Sequence, residues 1–233
     1  MDLADYLHTS AVLQRDGHVS LASPSLHLET LDQSTTSWCR DWRAEVRMHD
    51  LHAPAAAPIT VGAVDFVVVQ LSEDEDQRSI ADQLAMLDVR ATRFATLFDR
   101  GRLEAGIDEH EDFFDGMPMY SVLLLLGVVV DDLLPPSRLR EWALAEVCHT
   151  MLPTTSGVAF AAADYDGGRR RRLIAVDQRR DRGNHGPDWA SVGLTTVPGH
   201  PSMVGRAALF THLDTARSEL VEVTNQVLTL GQR

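Results

Sequence analysis

Between Val122 and Val130 the chain passes through four leucines, a glycine and three further valines without one polar side chain. The run is far short of the ~20 residues that a membrane-spanning helix needs. It is also too apolar for a strand with one face in water. Tyr120–Val130 is therefore predicted as the central strand of a sheet covered on both faces. Ile59–Leu71, a near-continuous β-branched run, predicts a second strand of the same kind. A fold that accepts both must place layers above and below one sheet.

The remaining pattern supplies those layers. Ala44, Val46 and Met48 alternate with Glu45 and Arg47, as a half-buried strand requires. Ile80, Leu84, Leu87, Ala91, Phe94 and Leu97 recur at helical spacing and predict one amphipathic helix of about five turns. Pro135-Pro136 ends the central strand, and Ser137 is placed to cap a helix through about Met151. Gly157–Ala163 reads as a short strand, Val192–Val197 as another, and Met203–Phe210 as a last strand or the start of a helix. Near the N-terminus, Asp16-Gly17 between Ala11–Gln14 and Val19–Ala22 predicts a hairpin. Leu213, Ala216, Leu220, Val223, Val227 and Leu230 form one stripe, read as a C-terminal helix. The expected class is α/β (α+β), a mixed central sheet flanked by helices. Residues 1–40 are expected as a β-rich extension, 41–210 as the single domain and 211–233 as a terminal helix.

Composition narrows the chemistry. All 21 basic residues are arginine, so a Walker A lysine, a Schiff-base lysine and a lysine general base are excluded. A net charge of −13 opposes non-specific binding to nucleic acid or to anionic membrane. Cys39 and Cys148 form no ligand spacing, and Asp2 and Asp5 stand where a signal peptide would be basic, so a reduced cytoplasmic setting is expected.

Several residues invite a functional reading beside a structural one. Asp65, within the β-branched run, is either a general base raised by apolar surroundings or a strand carboxylate met by an arginine or a backbone N–H. Tyr120 either serves as a proton donor or anchors the strand start with its hydroxyl in water. The seven arginines in Arg169–Arg182 either hold a phosphate or acidic surface, or form a solvated loop balancing the acidic Glu73–Asp115. His49 and His52 do not share a strand face, Asp108–Asp112 lacks the spacing of a calcium loop, and Cys148 and His149 diverge around a helix.

The order strand, turn, helix, strand across Tyr120–Ala163 resembles the acyl-CoA-binding half of the GNAT superfamily of N-acetyltransferases. That resemblance implies a central strand that splays from its neighbour and feeds a loop and helix N-terminus cradling a pyrophosphate. By position, Val128, Val129 and Val130 match the strand end that bonds the pantetheine arm. Ser137, Arg138, Leu139 and Arg140 match the pyrophosphate loop, with Val192-Gly193-Leu194 resembling a short segment before the last strands. The family's two loop glycines fall on Arg138 and Arg140, which the resemblance would recruit as phosphate partners through their forked donors. Its implied activity is transfer of an acyl group from acetyl-CoA or another acyl-CoA to a small-molecule or protein amine, with Asp65 and Tyr120 as candidate catalytic residues. The alternative is a non-catalytic protein of this fold that lost the CoA site and acts in protein binding, including a homodimer through the C-terminal stripe.

Overall fold

The computed structural model describes residues 1–10, 17–31, 38–71, 80–99, 101–110, 113, 119–152, 157–164, 186–207 and 211–231. In chain order these form helix α1 (Leu3–Thr9), strands β1 (His18–Thr30), β2 (Cys39–Asp50) and β3 (Ile59–Gln70), and helix α2 (Ile80–Leu87). A small hairpin β4 (Phe98–Asp99) and β5 (Arg102–Leu103) precedes helix α3 (Ala105–Asp108). Then follow β6 (Ser121–Val130), α4 (Leu139–Met151), β7 (Gly157–Ala162), β8 (Thr195–Val197), β9 (His200–Ala207), α5 (Thr211–Leu220) and β10 (Leu228–Gly231). Eight strands make one mixed sheet in the order β10-β1-β2-β3-β6-β7-β9-β8, giving a single α/β domain. Among the described pairs only β6 and β7 run parallel, joined by α4 as the crossover.

The two apolar runs lie where their composition demands. β3 and β6 are neighbours at the sheet centre, and the residues of β6 are buried except for half-buried Val129. One face packs Val64, Phe66, Val68, Leu123, Leu125 and Val128 under α1, α4 and α5. Val67, Val69, Val122, Leu124 and Leu126 pack on the other under α2, the 3₁₀ helix Ala91–Leu97 and α3. Each strand serves both cores because alternate side chains point to opposite faces. Among the described residues no helix is long and apolar enough to cross a membrane.

Three predicted elements are corrected. The amphipathic helix stops at Leu87, because the Asp88 carboxylate accepts the Arg90 backbone N–H at 2.7 Å and turns the chain into the 3₁₀ helix. Of the predicted hairpin only the arm Val19–Ala22 is described: Val19 and its neighbours pair with β10 on one side, and Leu21 and Ala22 with β2 on the other. Ala11–Gln14 lies outside the described residues. The C-terminal stripe is not one helix; α5 ends at Leu220, a 3₁₀ turn spans Val221–Asn225, and β10 closes the sheet edge against β1. Val192–Val197 divides into a 3₁₀ turn ending at Val192 and the strand β8 from Thr195.

Both chain ends are thereby tied into the domain. The Asp2 carboxylate accepts the Asp5 N–H at 2.8 Å, capping α1, which buries Leu3 and Tyr6. Thr60 N–H donates to the Met1 carbonyl at 3.0 Å, and the Tyr6 hydroxyl donates to buried Asp50.

Candidate functional site

β6 changes neighbours halfway along its length. Its parallel ladder with β7 ends at Leu125↔Ala161, whereas its antiparallel ladder with β3 continues to Val130↔Gly62. The β3 register shifts between Asp65 and Phe66, whose partners are Gly127 and Leu125, so Leu126 is an extra residue in β6. Such a bulge bends a strand and increases its local twist. From Leu126 to Val130, β6 keeps its β3 ladder and has no β7 ladder. Val128 and Val130 are buried in the first core, while Val129 lies opposite Ala63.

The chain then turns tightly into α4. Asp131 N–H donates to the Val61 carbonyl at 2.8 Å, and the Asp131 carboxylate accepts Leu133 N–H at 3.0 Å. The predicted cap, Ser137, is one residue early: Arg138 is the N-cap and makes no side-chain cap bond. Burial sets this register, because Leu139, Trp142 and Ala143 all face the core. Leu139 therefore contributes only its backbone to the helix entrance. Arg138 is exposed at the N-cap and Arg140 half-buried two residues on, so the helix begins with two arginines and no side-chain cap bond from Arg138. Glu141 faces another way: its carboxylate accepts Asp188 N–H at 3.2 Å. Trp142 is 4% exposed, and its indole N–H has no partner among the described residues.

On the opposite face, at the level of the bulge, lies a cluster that the sequence showed only in part. Asp65, paired in register with Gly127, receives Arg43 Nε at 2.8 Å and Arg90 Nη1 at 3.1 Å. The same Arg90 binds Asp88 through Nη2 at 2.7 Å. Asp65 is thus the strand carboxylate met by arginine, and the free-base reading is replaced by an ion-paired one. Burial opposes the charge on Arg90, but Asp88 and Asp65 outweigh it and raise its pKa. Asp41, opposite Val67 on β2, is the member sequence reasoning missed. Burial, and then the Asp88 and Asp65 charges, push its carboxyl up to about 6 against the pull of Arg90. The signal was available: Cys39, Asp41, Arg43, Glu45 and Arg47 fall on one face of a strand by alternation.

Asp41 carries a pH-dependent prediction. A carboxyl raised in the folded state favours folding when protonated, so stability falls as pH rises from the ordinary value of 3.8 through about 6. Asp41→Asn removes that loss. The variant is expected to exceed the parent by on the order of 1 kcal/mol at neutral pH, allowing for solvent screening of a half-buried group. The advantage should shrink through about 6 and vanish below 3.8. Urea unfolding across that range is the measurement, and a difference independent of pH would refute the assignment.

The other singled-out residues do not join either group. Tyr120 lies just before β6, and its carbonyl accepts Leu71 N–H at 2.9 Å. It is separated from Val130 by the whole strand, about 33 Å at ~3.3 Å per residue. It is 55% exposed, and one active site cannot hold both ends of that strand. Burial pushes the Cys39 and Cys148 thiols up to about 12, too high for a nucleophile at neutral pH. His18 and His52 meet edge to face at 5.8 Å. Among the described residues no group of three or more His, Cys, Asp and Glu is placed to hold a metal ion. Arg169–Arg182 lies outside the described residues, as do Glu111 and Asp112. Gly193, within the segment resembling the family's short motif, adopts φ 87°, and a Cβ there would stand 2.9 Å from the His212 carbonyl. It belongs to the packing of α5. No family model matches the chain, and no curated protein or solved structure gives a match either.

Proposed function

We propose that the chain is a GNAT-like acyltransferase that uses an acyl-CoA and an amine. The observation carrying this reading is the β6 end: beyond the bulge it retains the β3 ladder, lacks the β7 ladder, and leads through a tight turn to an uncapped helix N-terminus. The backbone of Val130, turned away from β3 by the alternation of the ladder, would bond the pantetheine arm at this strand end. The Leu139 N–H and the guanidinium groups of Arg138 and Arg140 would hold the pyrophosphate. When bound, acyl-CoA supplies a thioester carbonyl open to attack by an amine. On the other sheet face, among the described residues, Asp41, Asp65 and Asp88 lie with Arg43 and Arg90, a setting that would favour a cationic amine once Asp41 ionises. The arginines at the two positions where the family has glycine favour a second reading, a protein of this fold without CoA binding.

Calorimetric titration with CoA and acetyl-CoA is expected to give a dissociation constant at or below the high micromolar range. Absence of heat and of any thermal shift at millimolar ligand overturns the proposal. Arg138→Gly/Arg140→Gly separates the two readings. Loss of two charged phosphate partners should weaken CoA binding by about tenfold or more and flatten its dependence on salt. Tighter binding by the double variant would mean that the arginines block the site instead.

A further inference from the structure

We propose that the outer edge of β1 is a docking edge for a second copy of this chain, paired antiparallel about a two-fold axis at Leu28. β1 is covered by β10 only from His18 to Leu21, and the β2 register shifts between Ala22 and Ser25. From Ser25 to Glu29 no described strand lies on the side away from β2. That stretch, Ser-Leu-His-Leu-Glu, contains no proline, and its β2 register is regular, so it lacks two devices by which edge strands block pairing.

The phase of the strand decides which backbone groups face outward. Leu31 N–H donates to the Asp41 carbonyl at 2.9 Å, which makes Leu31 and Asp41 a hydrogen-bonded pair. Hydrogen-bonded and non-bonded pairs alternate along an antiparallel ladder. Glu29 and His27 therefore point their N–H and C=O groups at β2, and Leu28 and Leu26 point theirs away from it. A two-fold axis at Leu28 lets each Leu28 exchange two hydrogen bonds with the partner's Leu28. The same operation sets His27 opposite the partner's Glu29, and Glu29 opposite the partner's His27. These are non-bonded pairs, whose side chains approach most closely. An imidazole N–H then meets a carboxylate twice in one interface. Both side chains are exposed in the single chain. Leu26 and Leu28, half-buried against the first core, extend that core across the junction. Charge complementarity and backbone phase thus select the same axis, and a copy of this chain supplies both.

Charge exchange in the full chain tests the proposal. Sedimentation equilibrium of the wild type should show a mass rising from 25.7 kDa toward twice that value with concentration. His27→Glu sets like charges opposite each other twice and should weaken the dimer by about tenfold. Combining it with Glu29→His restores opposite pairs and should recover most of the affinity. Leu28→Pro removes an outward N–H and should abolish the dimer; thermal melting reports whether this variant folds, and the charge pair decides the matter if it does not. A wild type that stays at 25.7 kDa into the high micromolar range overturns the proposal. So does dimerisation that His27→Glu leaves unchanged, or that the double exchange fails to recover.

Discussion

Gly62→Ala is expected to destabilise the protein by about 3 kcal/mol, at the upper end for overpacking a closed interior. Gly62 lies in β3 between two irregularities, the β2 register shift at Val46/Arg47 and the β6 shift at Asp65/Phe66. Together they bring the backbones so close that a Cβ on Gly62 would stand 2.4 Å from the Val129 carbonyl oxygen and 3.1 Å from the Val130 Cα. Neither is the end of a flexible side chain, so β6 itself must move. For a domain of this length the melting temperature should fall by roughly 6–12 °C. Gly106→Ala is the control: nothing lies within 4 Å of a Cβ there, and the helical position gains from the change. The displaced atoms belong to the strand end proposed to hold the pantetheine arm, so CoA affinity should fall in any Gly62→Ala protein that remains folded. A Gly62→Ala melt indistinguishable from that of Gly106→Ala would show that β3 and β6 are not so close.

The centre of this fold was legible because its signal is composition. β3 and β6 are apolar on both faces, and no register or partner choice alters what such segments must do. Where side-chain chemistry competes with periodicity, the sequence misleads. The helical spacing from Ile80 to Leu97 is real, and Phe94 and Leu97 are buried as it implies, but one Asx turn at Asp88 divides the helix. Ser137 is a better cap than Arg138 by propensity, worth about 1 kcal/mol. Burying Leu139, Trp142 and Ala143 together outweighs that and shifts the helix start.

The charged cluster was half legible for a different reason. Asp65 was visible as a carboxylate in an apolar run, but its partners come from β2 and from the turn after α2, Arg43 and Arg90. Those contacts span the sheet and a layer boundary, which no local pattern encodes. Asp41 owes its raised pKa to the same assembly, since two of the charges acting on it, Asp88 and Asp65, lie far along the chain. The bulge at Leu126 is equally silent in sequence: four consecutive leucines give no sign of which one is the extra residue. The part of the candidate site that was read correctly is therefore the strand and helix that frame it. The part that was missed is the set of long-range contacts that give it charge.

Leu220→Glu is expected to cost at least about 4 kcal/mol, by loss of a buried leucine and by the desolvation of an unpaired carboxylate. The spacing from Leu213 to Leu230 fitted two outcomes, a helix folded on its own sheet or a seam between two chains. In the structure Leu213, Leu220 and Val223 are buried in the first core beside Leu144 and Val147, Ala216 is buried as well, and Leu220 is 0% exposed. Arg217, one step round the helix, holds the Glu146 carboxylate of α4 with Nε at 2.9 Å and Nη2 at 3.3 Å. The seam is therefore satisfied within one chain. The stripe changes period after Asn225: Leu228 and Leu230 are buried as alternate residues of β10, while Val227 is 51% exposed. Expelling Leu220 should loosen α5 and, through the short 3₁₀ turn, the β10 strand that covers His18–Leu21 of β1. The variant should melt lower at every protein concentration, and acidification that protonates the new carboxyl should return part of the loss. A variant that kept the wild-type melting temperature while its mass in solution fell by half would place the seam between chains instead.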